Sequence, residues 1–430
     1  MNQMVRGRVL RALLALPLLL SPALGHASGF ALESQGARAM GFSGAYVAQA
    51  ADPSAIYYNA AGIGFLKGKH LYVGAFLGGV STDFTGEGPY PAAGTLESSD
   101  RGIGLLPTIY YSQQVGERLY VGLGFNRPFA FRSSWDNPDQ FTGRYICVEC
   151  ELGAWGLNPT VAWRVEDRFA IGAGLDLRFA SFKTVRRLQA TPNPFPVPTD
   201  VAQFTLDGGT DTGVGFNLGV LASPTEDFSI GLSYRHKVTA EHSAQAGFVQ
   251  IRTGNATVDE AVATALPANQ LGTVTFTYPA IVAAGAAFRR GYWTFEADFQ
   301  WTLWSSFDQV TMTFPSTPAL DSVLPQDYES TWRGALGIEY LIGDDWEVRG
   351  GFGYDHSPAP TETISPFIHD ADRYTFGAGG SWKYESLRLD FSLRYVLFRT
   401  SSTLGISRYD YNGSYDSGGL QVGASLGYRF

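Results

Sequence analysis

This 430-residue sequence is short of charge, of cysteine and of long apolar runs. Charged residues are 17% of the chain, against roughly a quarter in ordinary soluble domains. A soluble chain of this length would divide into two or three domains, and the low charge argues against that reading. Beyond residue 30 no stretch approaches the roughly 20 apolar residues of a transmembrane helix. No basic tract is present and the net charge is −9, which makes a poor nucleic-acid binder. There are two cysteines, Cys147 and Cys150, in C-V-E-C. A zinc site needs a second pair, a haem attachment needs His where Glu151 stands, and a redox motif needs a βαβ context. What is left is a small loop disulfide, which export permits, or two idle thiols. His70, His236, His242, His356 and His369 show no metal spacing, and His356 beside Asp355 reads as a rim residue rather than a base. Gly423-Ala424-Ser425-Leu426-Gly427 matches a nucleophile elbow, but it lies within a strand pattern, so it reads as a chance match. The expectation is no catalytic residue, no metal, no cofactor and no enzyme activity.

What the chain does have is glycine, 51 residues, and aromatics, at 14%. Tyr292 to Trp304 reads Y-W-T-F-E-A-D-F-Q-W-T-L-W. Trp293, Phe295, Ala297, Phe299, Trp301 and Leu303 fall on one face of a strand, and Thr294, Glu296, Asp298, Gln300 and Thr302 on the other. An apolar face with aromatics at both ends, opposite a polar face, is the pattern of a membrane-spanning β-strand. The same alternation puts Phe169 to Phe179, Phe228 to Tyr234, Leu387 to Tyr395 and Leu420 to Phe430 outward at every second residue. A mean hydropathy of −0.05 suits such a wall.

About fourteen such segments follow, and their connections alternate strictly. Short ones fall at Gln114–Glu117, Glu166–Asp167, Pro224–Asp227, around Arg290, Gly343–Asp345 and around Glu385. Long ones fall at 81–100, 132–150, 190–200, 246–267, 315–326, 358–370 and 405–415. Bacterial barrels have short periplasmic turns, long outer loops and an even strand number. The expected fold is therefore all-β, a transmembrane antiparallel barrel, residues 68–430, in the bacterial outer membrane. Residues 1–27 read as a signal peptide cleaved after Ala27, with Arg6, Arg8 and Arg11 before the apolar Ala12 to Leu20. Gly172, Gly174, Gly351, Gly353, Gly377 and Gly379 face the lumen, and strand glycine often marks close approach of another backbone. About fourteen strands enclose more room than their own side chains fill. Residues 28–67, rich in Gly and Ala, are expected inside as a plug.

Specific residues then carry a resemblance. They are Gly29-Phe30-Ala31-Leu32; Asp52-Pro53-Ser54-Ala55 followed by Tyr57-Tyr58-Asn59-Ala60-Ala61-Gly62; Trp304-Ser305-Ser306-Phe307; Arg349-Gly350-Gly351-Phe352; and Tyr354-Asp355-His356-Ser357-Pro358 with Asp370-Ala371-Asp372-Arg373. Across the whole mature chain the sequence resembles the FadL/TodX outer-membrane transporters of long-chain fatty acids and other hydrophobic compounds. The resemblance implies fourteen strands and an N-terminal hatch that gates near Asp52, Pro53, Ser54, Asn59, Ala60 and Ala61. One departure is visible: the family's Asn-Pro-Ala is here Asn59-Ala60-Ala61, which frees φ and restores an N–H.

Pro128 stands inside the third strand, where it cannot donate to the ladder. It marks either a harmless bulge or, as the resemblance implies, an inward kink that opens a side exit lined by Asn126, Arg127, Pro128, Phe129 and Phe131. The lumen charges Asp176, Arg178, Glu296, Asp298, Arg349, Asp355, Arg388, Asp390 and Arg394 either pair with one another and anchor the plug, or include one arginine that meets a fatty-acid carboxylate, with Arg178 and Arg394 as candidates. Val258, Ala261, Val262, Ala265 and Leu266 repeat at helical spacing in one outer loop, and Phe195 sits in a Pro-rich one. They are loop decoration, or the apolar capture groove the resemblance implies. The expected partners are a long-chain fatty acid or other hydrophobic small molecule and outer-membrane lipid, with no nucleic acid, for a monomer. Expected function is uptake by passive, ligand-gated diffusion with lateral exit. The alternatives are an aromatic or alkane hydrocarbon transporter, a general diffusion porin, or a barrel lipase, for which no Ser–His pair can be placed.

Overall fold

The computed structural model describes residues 29–100, 103–190, 195 and 197–430, so the expected signal peptide lies outside it. Fourteen wall strands follow one another: β1 (Lys69–Gly86), β2 (Gly104–Gln114), β3 (Leu119–Ser134), β4 (Glu149–Glu166), β5 (Phe169–Gln189), β6 (Asp200–Ala222), β7 (Phe228–Arg235 and Val238–Gln250), β8 (Gln270–Tyr278 and Ile281–Arg290), β9 (Trp293–Thr302 and Gln309–Thr313), β10 (Ser322–Pro325 and Thr331–Ile342), β11 (Trp346–Asp355), β12 (Arg373–Tyr384), β13 (Leu387–Phe398 and Ser401–Ser402) and β14 (Gly413–Arg429). Each is antiparallel to the next. β1 pairs with β14 from His70↔Arg429 to Gly86↔Gly413, which closes the barrel. Short turns and long loops alternate as the sequence predicts.

The outward residues are where the alternation puts them. Trp293, Phe295, Phe299 and Trp301 are exposed, while Thr294, Glu296, Asp298 and Thr302 are buried. The same holds for Ile171 and Leu175 against Asp176 and Arg178, and for Phe391 and Leu393 against Asp390 and Arg394.

Five of these strands, however, are broken into two pieces, and three strands change facing along their length. In β6 the buried set is Gly213, Gly215, Asn217, Gly219 and Leu221 in the lower part, but Ala202, Phe204 and Leu206 in the upper part. The parity shifts near Gly209, whose φ of +55° is a left-handed conformation that glycine adopts cheaply. β7 shifts at His236–Lys237, from buried Ser229 and Arg235 to buried Val238, Ala240 and Ala244. β8 shifts at Pro279–Ala280, from buried Val274, Phe276 and Tyr278 above to exposed Phe288 below. One extra residue turns every later side chain to the other face. Below this seam apolar residues face lipid. Above it they face the lumen, and Thr239, Glu241, Thr273, Thr275 and Thr277 take the outside, so the upper barrel stands in water with an apolar interior.

Residues 29–67 lie inside the wall and almost all are buried. They form α1 (Ala37–Gly41), α2 (Ala55–Tyr58) and a 3-10 turn at Ala60–Phe65. Several inward glycines make room for this plug. A Cβ on Gly172 would lie 2.5 Å from Ala60 C and Ala61 N, and one on Gly377 would lie 2.7 Å from Met40 O. Gly351 faces Phe42 in the same way, while a Cβ on Gly379 would meet the wall first, at Phe391 O, 2.8 Å away, and Gly41 only at 3.4 Å. Gly174 and Gly353 have a different reason: they make room for wall side chains, Asn217 and Thr160 in one case and Thr375 in the other.

Candidate transport site

The plug is held by backbone donors on wall carboxylates. Tyr46 N and Val47 N donate to Asp298 Oδ2 at 2.6 and 2.9 Å, and Ala48 N and Gln49 N donate to Glu296 Oε1 at 2.7 and 3.1 Å. Among the described residues these N–H groups make no other hydrogen bond, and a carboxylate accepts more strongly than a neutral oxygen. Around them Arg38 meets Glu339 at 2.7 Å, while Arg373 and Arg394 meet Glu33 at 2.7 and 3.0 Å. Asp52 accepts from Tyr46 Oη at 2.6 Å and from Ser54 N at 2.9 Å, shaping the turn before α2. Asn59 donates to Val47 O and Val220 O, both at 3.0 Å, and accepts from Ala61 N at 3.2 Å, so it ties plug to wall and caps the 3-10 turn.

The wall itself has a window. Among the described residues β2 and β3 pair only from Ile109↔Phe125 to Gln114↔Tyr120. Higher up the gap closes at the Ser99↔Trp135 bridge. Between these points the ladder of β3 with β4 slips from Asn126↔Gly156 to Phe129↔Ala154, at Arg127-Pro128. Asn126 to Phe131 are all buried, which is the mark of a segment turned inward. Each edge of the window carries a proline, Pro128 on β3 and Pro107 on β2. Pro107 is a signal that sequence reasoning passed over, although proline in a strand belongs at an unpaired edge. The N-terminal segment stands in for the missing strand. Ala31 bridges Phe129, Leu32 N donates to Pro128 O at 2.9 Å, and Ala130 N donates to Phe30 O at 3.0 Å.

Above the plug the inward side chains form one apolar cluster. Phe131, Leu152, Phe182, Phe204, Leu206, Phe276 and Met312 line it, and Phe30 projects into it from the N-terminal segment. Phe30 meets Trp304 at 4.8 Å and Phe307 at 5.0 Å, both edge-on, and Phe129 at 5.9 Å. Cys147 and Cys150 form a disulfide within this cluster. The outer loop 356–372 folds over it, burying Phe367 and Ile368. In that loop Asp370 accepts from Gly29 N at 3.0 Å and Ser357 Oγ at 2.8 Å, and burial pushes its carboxyl up to about 6.

The chain is thus a closed fourteen-stranded barrel, plugged from its N-terminus and breached at one strand. Residues 19–430 match the model of a protein family described as outer membrane protein transport protein (OMPP1/FadL/TodX). The chain belongs to this family. A long-chain fatty acid transport protein of Salmonella typhi is 22% identical over 74% of this chain and 75% of its own length. Outer membrane protein P1 of Haemophilus influenzae is 24% identical over 70% of this chain and 69% of its own. Among solved structures, a Pseudomonas aeruginosa FadL homologue superposes with a TM-score of 0.81 at 22% identity, covering 94% of this chain and all of that one. The Ralstonia pickettii toluene transporter TbuX gives 0.66 at 20%, covering 93% and 99%. As a FadL/TodX protein the chain is a multi-pass β-barrel of the bacterial outer membrane that transports hydrophobic compounds.

Other expected site residues fall differently. Arg178 is fully buried, pairs with Asp176 at 2.8 Å and lies 4.6 Å from the Phe129 ring. It is a buttress under the kink. Arg394 is committed to Glu33 and to Ser34 Oγ at plug level. Both cations meet carboxylates of the protein itself, while Arg178 Nη1 and Arg394 Nε have no acceptor among the described residues. Arg127 pairs with Glu151 at 3.4 Å and stacks 5.2 Å over Trp155, the residue opposite the slip. The loop helix α3 (Ala256–Ala265) forms as its spacing predicts, capped by Asn255, but it buries no residue, and Val262 and Leu266 are only half-buried. Phe195 is described, whereas its neighbours 191–194 and 196 are not.

Proposed function

We propose that the protein takes up long-chain fatty acids or similar hydrophobic molecules by passive, ligand-gated diffusion. The molecule collects in the apolar upper chamber and leaves sideways through the window between β2 and β3, where Asn126, Arg127, Pro128, Phe129 and Phe131 form one edge. The observation that carries this reading is the strand-like seating of Phe30–Leu32 on the unpaired edge of β3. A segment that pairs with the window and also fills the chamber connects the two: a ligand that displaces Phe30 loosens the seal at Pro128. The polar plug level supports the same route, since an apolar cargo crossing it would have to part buried ion pairs. It also speaks against a general diffusion porin, and the chemistry described above belongs to transport rather than to catalysis. Aromatic hydrocarbons are the second reading, favoured by the aromatic lining around Phe30 and by the likeness to a toluene transporter.

The test is Pro128→Val. It restores a ladder donor and lets β3 pair with β2. Cells carrying the variant, with the barrel's heat-shifted gel mobility intact, are expected to take up labelled oleate several-fold more slowly. Unchanged uptake in a folded variant would sink the lateral exit.

A further inference from the structure

The lipid-facing wall carries an apolar depression of about 480 Å³ near its periplasmic end, where β7 to β11 run side by side. Small residues make its floor. Ala286 stands opposite Ala297 across the ladder, and Gly350 stands opposite Ile338. Large residues make its rim. Phe228 pairs with Phe288, and Phe288 with Phe295, in one row below the alanines, while Leu336 pairs with Phe352 beside them. Two residues below Phe288, on the same outward face, stands Arg290. It is exposed and, among the described residues, meets no carboxylate. The flanking turns hold Glu226, Asp227, Asp344 and Asp345. Glu226 is taken by Arg168 at 3.0 Å, and the other three make no ion pair with Arg290 among the described residues. Beside Arg290 lie its ladder partner Trp293 and Tyr340, whose ring is 4.5 Å from that of Trp293.

We propose that this face is a site for one phospholipid of the periplasmic leaflet, with an acyl chain in the depression and the phosphate on Arg290. Location decides the kind of occupant. Phe288, Phe295, Leu336 and Phe352 are exposed on the face that lipid covers, so an acyl chain meets the floor rather than water or a soluble protein. An even wall would offer that chain a flat surface. A floor of alanine and glycine under a rim of phenylalanine lets it sink in and gain contacts with rim and floor together. The cation fixes the other end. An arginine at the foot of a membrane strand turns its guanidinium to the headgroups, and its planar fork matches two phosphate oxygens. Trp293 and Tyr340 lie at the same depth, where amphipathic rings favour the membrane interface. From Arg290 to Ala286 the strand covers about 13 Å at roughly 3.3 Å per residue, so the head and tail of one lipid reach both. A headgroup of the outer leaflet would lie at the opposite end of these strands, beside the long loops. Nothing in this site depends on the cargo of the lumen.

The experiment is native mass spectrometry of the purified detergent-solubilised protein, titrated with dioleoylphosphatidylglycerol and with dioleoylglycerol. The tails are the same, and only the first probe has a phosphate. The native protein is expected to hold one phosphatidylglycerol more tightly than any further copy, and more tightly than dioleoylglycerol. Arg290→Gln should weaken that first phosphatidylglycerol about five-fold, the loss of one arginine at a lipid surface, and leave dioleoylglycerol within about two-fold. Ala297→Phe fills the depression from the lipid side and should weaken both probes several-fold. Ala286→Phe serves the same comparison if that variant lacks the heat-shifted gel mobility of a folded barrel. Arg168→Gln, on the same rim but paired with Glu226, should change neither. A native protein that singles out no phosphatidylglycerol overturns the site. So does an Arg290→Gln variant that binds both probes as before or loses both alike, and so does a filled depression that leaves both unchanged.

Discussion

The lumen has two storeys with opposite chemistry. At plug level, wall carboxylates and arginines grip backbone N–H groups and one another: Glu296 and Asp298 hold Tyr46 to Gln49, and Glu347 meets both Arg349 and Arg388. Above the seam at Gly209, Lys237 and Ala280, the wall presents Phe182, Phe204, Leu206, Phe276 and Met312. The lower storey is specified by direction, since hydrogen bonds and ion pairs fix one geometry. The upper storey is specified by volume, and apolar contacts tolerate a replaced occupant. A plug that must stay and a cargo that must pass each sit in the environment that suits them.

The sharpest way to break this contrast is to remove the grip. Asp298→Ala leaves the N–H groups of Tyr46 and Val47 buried without an acceptor, at about 1–3 kcal/mol each. Glu296→Ala does the same to Ala48 and Gln49. The double variant is expected to cost several kcal/mol of plug docking, with coupling because the sites are neighbours. Planar-bilayer recordings should then show ion conductance that the native protein lacks, and residues near Tyr46 should become open to protease. A double variant as closed and as resistant as the native protein would show that the ion pairs of Arg38 and Glu33 carry the plug alone.

Next in size is a pair of opposed titrations in the loop that covers the upper storey. His369 stacks on Tyr415 at 5.8 Å and meets Trp135 edge-on, and burial lowers it to about 4. Its neighbour Asp370 is raised to about 6 by burial, against the pull of Arg373. As pH falls from about 6.5 to 4, the unfolded chain protonates its histidine and the folded one does not, so stability drops. As pH falls from about 6 to 4, folded Asp370 takes up a proton that the unfolded chain does not, so stability rises. Each effect is worth up to about 3 kcal/mol and the two nearly cancel. Asp370→Asn should uncover an acid-side fall in melting temperature, and His369→Gln an acid-side rise. Flat profiles for both variants would refute the burial of the pair.

The two storeys were not equally legible in the sequence. The lower wall announces itself, because lipid outside and polar plug inside make period-two alternation strong, as in Tyr292–Trp304. The plug was legible through inward glycine at Gly172 and Gly377. The upper storey alternates just as cleanly in V-T-F-T-Y, Val274 to Tyr278, but with its faces exchanged. Nothing in the alternation itself says which face is which; that depends on where lipid stops. The seam left only weak local marks, such as Pro279 and Gly209. Arg394 meets Glu33 of the plug, 361 positions away, a contact that residue type and depth along a strand could not show, whereas Arg178 meets Asp176 two residues along its own strand.

The smallest effect concerns the hatch motif, where Ala60 replaces the family's proline. Asn59→Ala should be felt, since it loses contacts to Val47 O, Val220 O and Ala61 N, at roughly 1 kcal/mol per bond. Ala60→Pro should hardly be felt. Asn59 has φ −158° and ψ 103°, the extended conformation a residue before proline requires. Ala60 is the first residue of the 3-10 turn, where a missing N–H costs nothing and a fixed φ is pre-organised. Melting of the variant should therefore match the native protein or rise by the equivalent of about 0.4–1 kcal/mol, through a stiffer unfolded chain. A loss above 1 kcal/mol would mean that the Ala60 N–H does work in the hatch, and that the plug level is built differently from the pattern its family motif suggests.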